Sequence, residues 1–158
     1  MGALYEQFPQ LILFLHVISA VVWVGGMIAM RFASHHSFME LREPPVRLQR
    51  TVHALKRLFA IVAPFIVILL ATALIMAVGM GLHHGEDKTL TFAKEGIWSV
   101  MALNYLAMVI RRNQVQKLID SGSLVEAKIK LAPIGTFMVP LNILLGIVAI
   151  YLGATLRY

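Results

Sequence analysis

The run from Leu11 to Met30 contains no Lys, Arg, Asp or Glu. A helix of about 20 such residues covers roughly 30 Å, the thickness of a bilayer's hydrocarbon core. Later apolar runs repeat the feature, giving predicted spans at about 11–32, 58–80, 92–110 and 134–156. The third is the weakest, because it opens with Lys94 and Glu95. Hydrophobic residues make up 59% of the chain and charged residues 14%, against about 45–50% and 25% in soluble domains. The 158 residues are accounted for by one transmembrane domain, 1–158. The first run has no basic residue before it and no small-residue cleavage site, so it reads as a retained helix rather than a signal peptide.

The linkers set the orientation. Arg31, Arg42, Arg47, Arg50, Lys56 and Arg57 fall in or beside the first, and Arg111, Arg112, Lys117, Lys128 and Lys130 in or beside the third. Between the second and third spans only Lys88 stands opposite them, and the C-terminal end adds Arg157. Positive-inside bias then places Arg31–Arg57 and Arg111–Lys130 in the cytoplasm, with both termini outside, as in a bacterial-type inner membrane. Pro44 and Pro45 break the first linker, and Val46–Arg57 reads as a helical extension of the second span. Pro64 and Pro140 fall within spans, where neighbouring helices re-satisfy the freed carbonyl. The predicted fold is all-α, an integral membrane antiparallel four-helix bundle.

The net charge of +6 fits loops facing anionic membrane lipid; no motif for reading nucleic acid accompanies it. The absence of cysteine excludes disulfides, thiolate metal sites, covalent c-type haem and cysteine nucleophiles. Any metal or haem iron must be held by His, Met, carboxylate or another nitrogen or oxygen donor.

His16 stands among Leu, Phe and Ile, about five residues inside the first span. An intramembrane imidazole is either bonded to another helix, a metal or haem ligand, or part of a proton relay. Trp23 and Met27 share its helix face, and Ser19, Ala20 and Gly26 are small enough to admit a close helix or a flat cofactor. His35, His36 and His53 form an inner set; His83 and His84, with Glu86 and Asp87, join His16 in an outer one. Two levels of histidine are enough for one or two haems b, and the outer set His16, His83 and His84 for a transition metal. Solvated histidine pairs are the plainer reading for both loops. Lys94 either snorkels to the interface or meets an anion. Nine methionines admit a Cu(I) site but equally serve as adaptable packing. Asn142 calls for a bond to another helix.

The stretch His16-Val-Ile-Ser-Ala-Val-Val-Trp23-Val-Gly25-Gly26 resembles the first helix of the copper-resistance D (CopD) membrane family. It is also similar to the related HemJ-type protoporphyrinogen oxidases, in which a membrane His precedes a Trp by seven residues. Arg31 and His36 resemble the Arg and His that end that helix, and Lys94 falls where the HemJ type has a functional lysine. The resemblance implies a haem b-binding redox protein, a haem-dependent oxidoreductase with His16 as leading ligand. Arg31 and Lys94 would be its functional side chains. It also implies electron transfer involving haem or a porphyrin, with a quinone as a further partner. The CopD branch implies copper handling instead. A third reading is a non-enzymatic membrane assembly protein. A homo-oligomer is compatible with all three.

Overall fold

The computed structural model describes residues 2–82 and 88–155, the His35 side chain aside. Those residues are helical almost throughout and contain no strand. A short α1 (Gly2–Gln7) precedes four long rods. The first comprises α2 (Pro9–Ala29), a π-helical turn (Met30–Ser34) and α3 (His35–Met39). The second is α4 (Pro44–Gly79), and the third is α5 (Lys88–Asp120). The fourth comprises α6 (Leu124–Pro133), a second π-turn (Ile134–Met138) and α7 (Val139–Thr155).

Local chemistry fixes the ends. Pro9 and Pro44 open α2 and α4, where φ is already helical and the missing N–H would have had no partner. The predicted extension from Val46 is present, so α4 is one continuous helix. Gly81 and Gly122 take positive φ, 66° and 81°. Each lets the chain fold back on the helix it leaves. Leu82 N–H donates to the Ala77 carbonyl at 3.0 Å and Ser123 N–H to the Leu118 carbonyl at 2.9 Å, the six-to-one bond of a Schellman motif.

The rods alternate in direction. Tyr105 and Arg112 on α5 bond to the Phe59 and Val52 carbonyls of α4. Asn104 and Arg111 likewise reach Asn142 and the Lys130 carbonyl on the fourth rod. In each pair an advance along one helix is a retreat along the other. Buried residues on α4 (Leu48, Val52, Leu55, Phe59, Val62, Ile66) and on α5 (Met101, Tyr105, Met108, Arg112, Val115) alternate steps of four and three. That spacing is the seam of a left-handed helix pack. Close approach of α2 to its neighbours uses glycine. A Cβ on Gly26 would stand 2.9 Å from Leu58, and one on Gly146 would stand 2.5 Å from Val24.

Polarity is arranged inside out. Val67, Leu103 and Leu144 are 61–67% exposed, while Ser19 and Asn142 are at most 1% exposed. Water would penalise that arrangement and lipid would not. Three rods are long and apolar enough to cross a membrane: Pro9–Met39, Pro44–Gly79 and Leu124–Thr155. The predicted third span, 92–110, lies within α5, a much longer helix that falls short of the same apolarity. Lys94, Glu95 and Asn104 interrupt its apolar stretch, and Arg111 and Arg112 close it.

Candidate functional site

His16 lies on the face of α2 that carries Ile12, Ser19, Trp23 and Met27, all buried. Its imidazole is half-buried and points to α4, with Nδ1 3.0 Å from the Thr72 hydroxyl. Thr72 is the one hydroxyl between Leu58 and Met80. Its oxygen is also 2.8 Å from the Ile68 carbonyl and 3.0 Å from that of Leu69. A hydroxyl has one hydrogen and two lone pairs. The backbone carbonyls can only accept, so they take that hydrogen. The Thr72 oxygen must then accept from His16 Nδ1–H. The network assigns the tautomer: the proton is on Nδ1, and Nε2 keeps its lone pair.

Lys94, on α5, is half-buried and close enough to His16 for its charge to act on the ring. Its ammonium lies against α7, 3.3 Å from where a Cβ on Gly153 would be. All four rods therefore contribute to this end of the molecule: His16, Thr72, Lys94 and the open side of Gly153. Among the described residues no acid pairs with Lys94. One turn along α5, Trp98 has a buried indole N–H without a partner among the described residues, and so does Trp23. Trp23 is 1% exposed and meets the Tyr105 ring edge-on at 6.4 Å. A buried unpaired N–H costs about 1–3 kcal/mol.

The other predicted site residues are placed elsewhere. Arg31 lies in the first π-turn, about 22 Å along the helix from His16 at 1.5 Å per residue. His36 is exposed and donates from Nδ1 to the Phe32 carbonyl at 2.9 Å. His53 is exposed on α4. These inner residues are not brought together with His16. His83 and His84 lie outside the described residues. Among the described residues, no three of His, Cys, Asp and Glu are grouped as a metal site.

Two further clusters bind helix to helix. Asn142 makes the expected interhelical bonds: its Oδ1 accepts from Asn104 Nδ2 at 2.7 Å, and its own Nδ2 donates to the Met101 carbonyl at 3.3 Å. Asn104 also donates to the Met138 carbonyl at 2.8 Å. Arg112 is 6% exposed and donates to the Val52 carbonyl, Asn113 and Gln116. Burial pushes its pKa down and Asp120 opposes the shift; a guanidinium nonetheless stays charged. Thr72 and Asn104 carried no role in the sequence, and Arg112 only that of one basic residue marking the orientation. The available signal was a polar residue recurring at a core position of a helix face.

The chain matches no family model, no characterised protein and no solved structure with which it was compared.

Proposed function

We propose that this is a multi-pass protein of a bacterial-type inner membrane in which all four rods cross the bilayer and His16 would hold the iron of a haem b. The observation that carries the reading is the Nδ1–Thr72 bond, which leaves Nε2 with its lone pair available for iron. Ligating histidines are commonly fixed in this way through the other ring nitrogen. The macrocycle supplies four of the iron's ligands, so one or two protein donors suffice. Among the described residues no three of His, Cys, Asp and Glu are grouped, so a copper site formed by them would have to draw on methionine thioethers as well.

The surroundings fit such a group. Two buried indole N–H donors, Trp23 and Trp98, have no acceptor among the described residues. Lys94 is a half-buried cation that no acid pairs with among the described residues, suited to the carboxylates of a tetrapyrrole. Bound haem supplies one-electron chemistry, and a quinone or porphyrin is the partner class. The chain's own residues orient the ring (Thr72), ligate (His16), and attract a carboxylate (Lys94). The Lys94→Met variant is expected to retain less haem or to lose turnover of a porphyrin substrate. Unchanged haem content and activity would reduce Lys94 to a snorkelling side chain.

A visible spectrum of the purified full chain tests the reading. A Soret band with reducible α and β bands, in proportion to bound iron, is expected. Stoichiometric copper without that chromophore would favour copper handling. Neither would leave the polar residues as helix locks alone, as in an assembly protein.

Orientation follows from the basic linkers: Arg31–Arg57 and Arg111–Lys130 face the cytoplasm. A reporter fused after Tyr158 should register outside the cytoplasm. A cytoplasmic signal there would remove one span, and α5 is the weakest.

A further inference from the structure

At the end of the bundle away from His16, a partly open chamber of about 430 Å³ lies between the first, second and fourth rods. That volume falls within the range of about 300–1,000 Å³ found for small-molecule sites. Its interior is apolar, with Met30, Leu55, Leu131 and Ile134 among the lining residues. Its charged lining is of one sign: Arg31, Arg47 and Lys128, with no Asp or Glu among the described residues that line it. None of the three cations has an ion-pair partner among the described residues.

Both π-turns help to build the chamber. Met30 and Arg31 come from the first, and Ile134, Gly135 and Thr136 from the second. A π-turn widens a helix locally, and such turns concentrate at functional sites. A Cβ on Gly135 would meet nothing within 4 Å, so there is open space before the fourth-rod wall.

We propose that this chamber binds an anionic phospholipid, taking acyl chain into the apolar interior and the phosphate against Arg31, Arg47 and Lys128. A soluble anion would find the charges but gain nothing from the apolar walls, and a neutral lipid would find the reverse. A lipid of the leaflet bordering the basic segments offers both and is always present there. The inference rests on the multi-pass reading but not on haem, so loss of the haem reading leaves it intact.

The test is native mass spectrometry of the full chain in detergent, titrated with phosphatidylglycerol or with phosphatidylcholine of the same chains. The wild type should bind phosphatidylglycerol at least about tenfold more tightly. Arg31→Gln, Arg47→Gln and Lys128→Gln should each cost about fivefold of that preference, the factor that matches about 1 kcal/mol per basic residue. Gly135→Phe, which fills the chamber and keeps every charge, should reduce binding of both lipids. Arg50→Gln removes an exposed charge from α4 outside the chamber and should change nothing. Equal affinity for the two lipids would overturn the proposal, as would full binding by Gly135→Phe. So would a loss in Arg50→Gln as large as in the lining variants, which would indicate general surface charge. Displacement of phosphatidylglycerol by millimolar inorganic phosphate would make this a free-anion site and also overturn it.

Discussion

The His16→Ala variant should insert normally and lose the haem spectrum altogether. Alanine removes the only imidazole of α2 and leaves Thr72 bonded to its own helix carbonyls. Thr72→Val is the sharper experiment. Valine keeps the shape but removes the acceptor that holds the proton on Nδ1, and a lost partner of this kind commonly lowers affinity about 10–100-fold. Loss in the first variant and weakening in the second separate a ligand from a helix lock. A packing histidine predicts the opposite: reduced stability in both, with any chromophore unaltered. An unchanged haem content and spectrum in His16→Ala would sink the assignment.

Gly146→Leu should clearly destabilise the bundle. Its Cβ would stand 2.5 Å from a Val24 methyl and 3.3 Å from the Met101 methyl, so Val24 must shift before the rest of the side chain is placed. Overpacking of this sort costs about 1–3 kcal/mol and sometimes more. The gain in helix propensity over glycine, about 1 kcal/mol at most, does not offset it. The smaller Gly146→Ala should show a milder version, and pairing it with Val24→Ala should recover most of the loss. Unfolding by denaturant in micelles reads both effects. Equal stability of Gly146→Leu and the wild type would mean that α2 and α7 are not held together at this glycine.

The apolar runs made the helices legible, and Pro44 and Val46 marked where the second one begins. Asn142 was legible as a helix-bonding residue because an amide in an apolar run has few alternatives. The extent of α5 was not. Hydropathy reports where lipid-compatible residues end, whereas a helix continues until its backbone is stopped, here at Gly122. The partner of His16 was also out of reach. Thr72 is a modest residue in its own sequence, and its pairing depends on the register between two rods, which no single run encodes. The inner histidines illustrate the converse. They are conspicuous in the sequence, yet His36 and His53 are exposed, because loop and helix-end histidines gain more from water than from burial.

The second π-turn has a counterpart in helical phase. Each residue of an α-helix advances the chain by about 100°, and a π-turn adds close to one residue to a single turn. Pro140 supplies a local cause, since its ring would otherwise press on the Thr136 carbonyl one turn earlier. The Met138 carbonyl at the end of that turn is taken up by Asn104 from the third rod. Thus α6 and α7 lie on one axis but are rotated out of step. That offset lets Leu124, Lys128 and Leu131 face the chamber while Asn142 and Gly146 face the bundle. Deleting a single residue between Ala132 and Val139 would bring the two segments into step. Because the wide turn already absorbs that residue, Lys128 and Asn142 would keep their present faces, whereas tightening the turn to an α-helix without a deletion would swing Lys128 about 100° around the rod, away from Arg31 and Arg47.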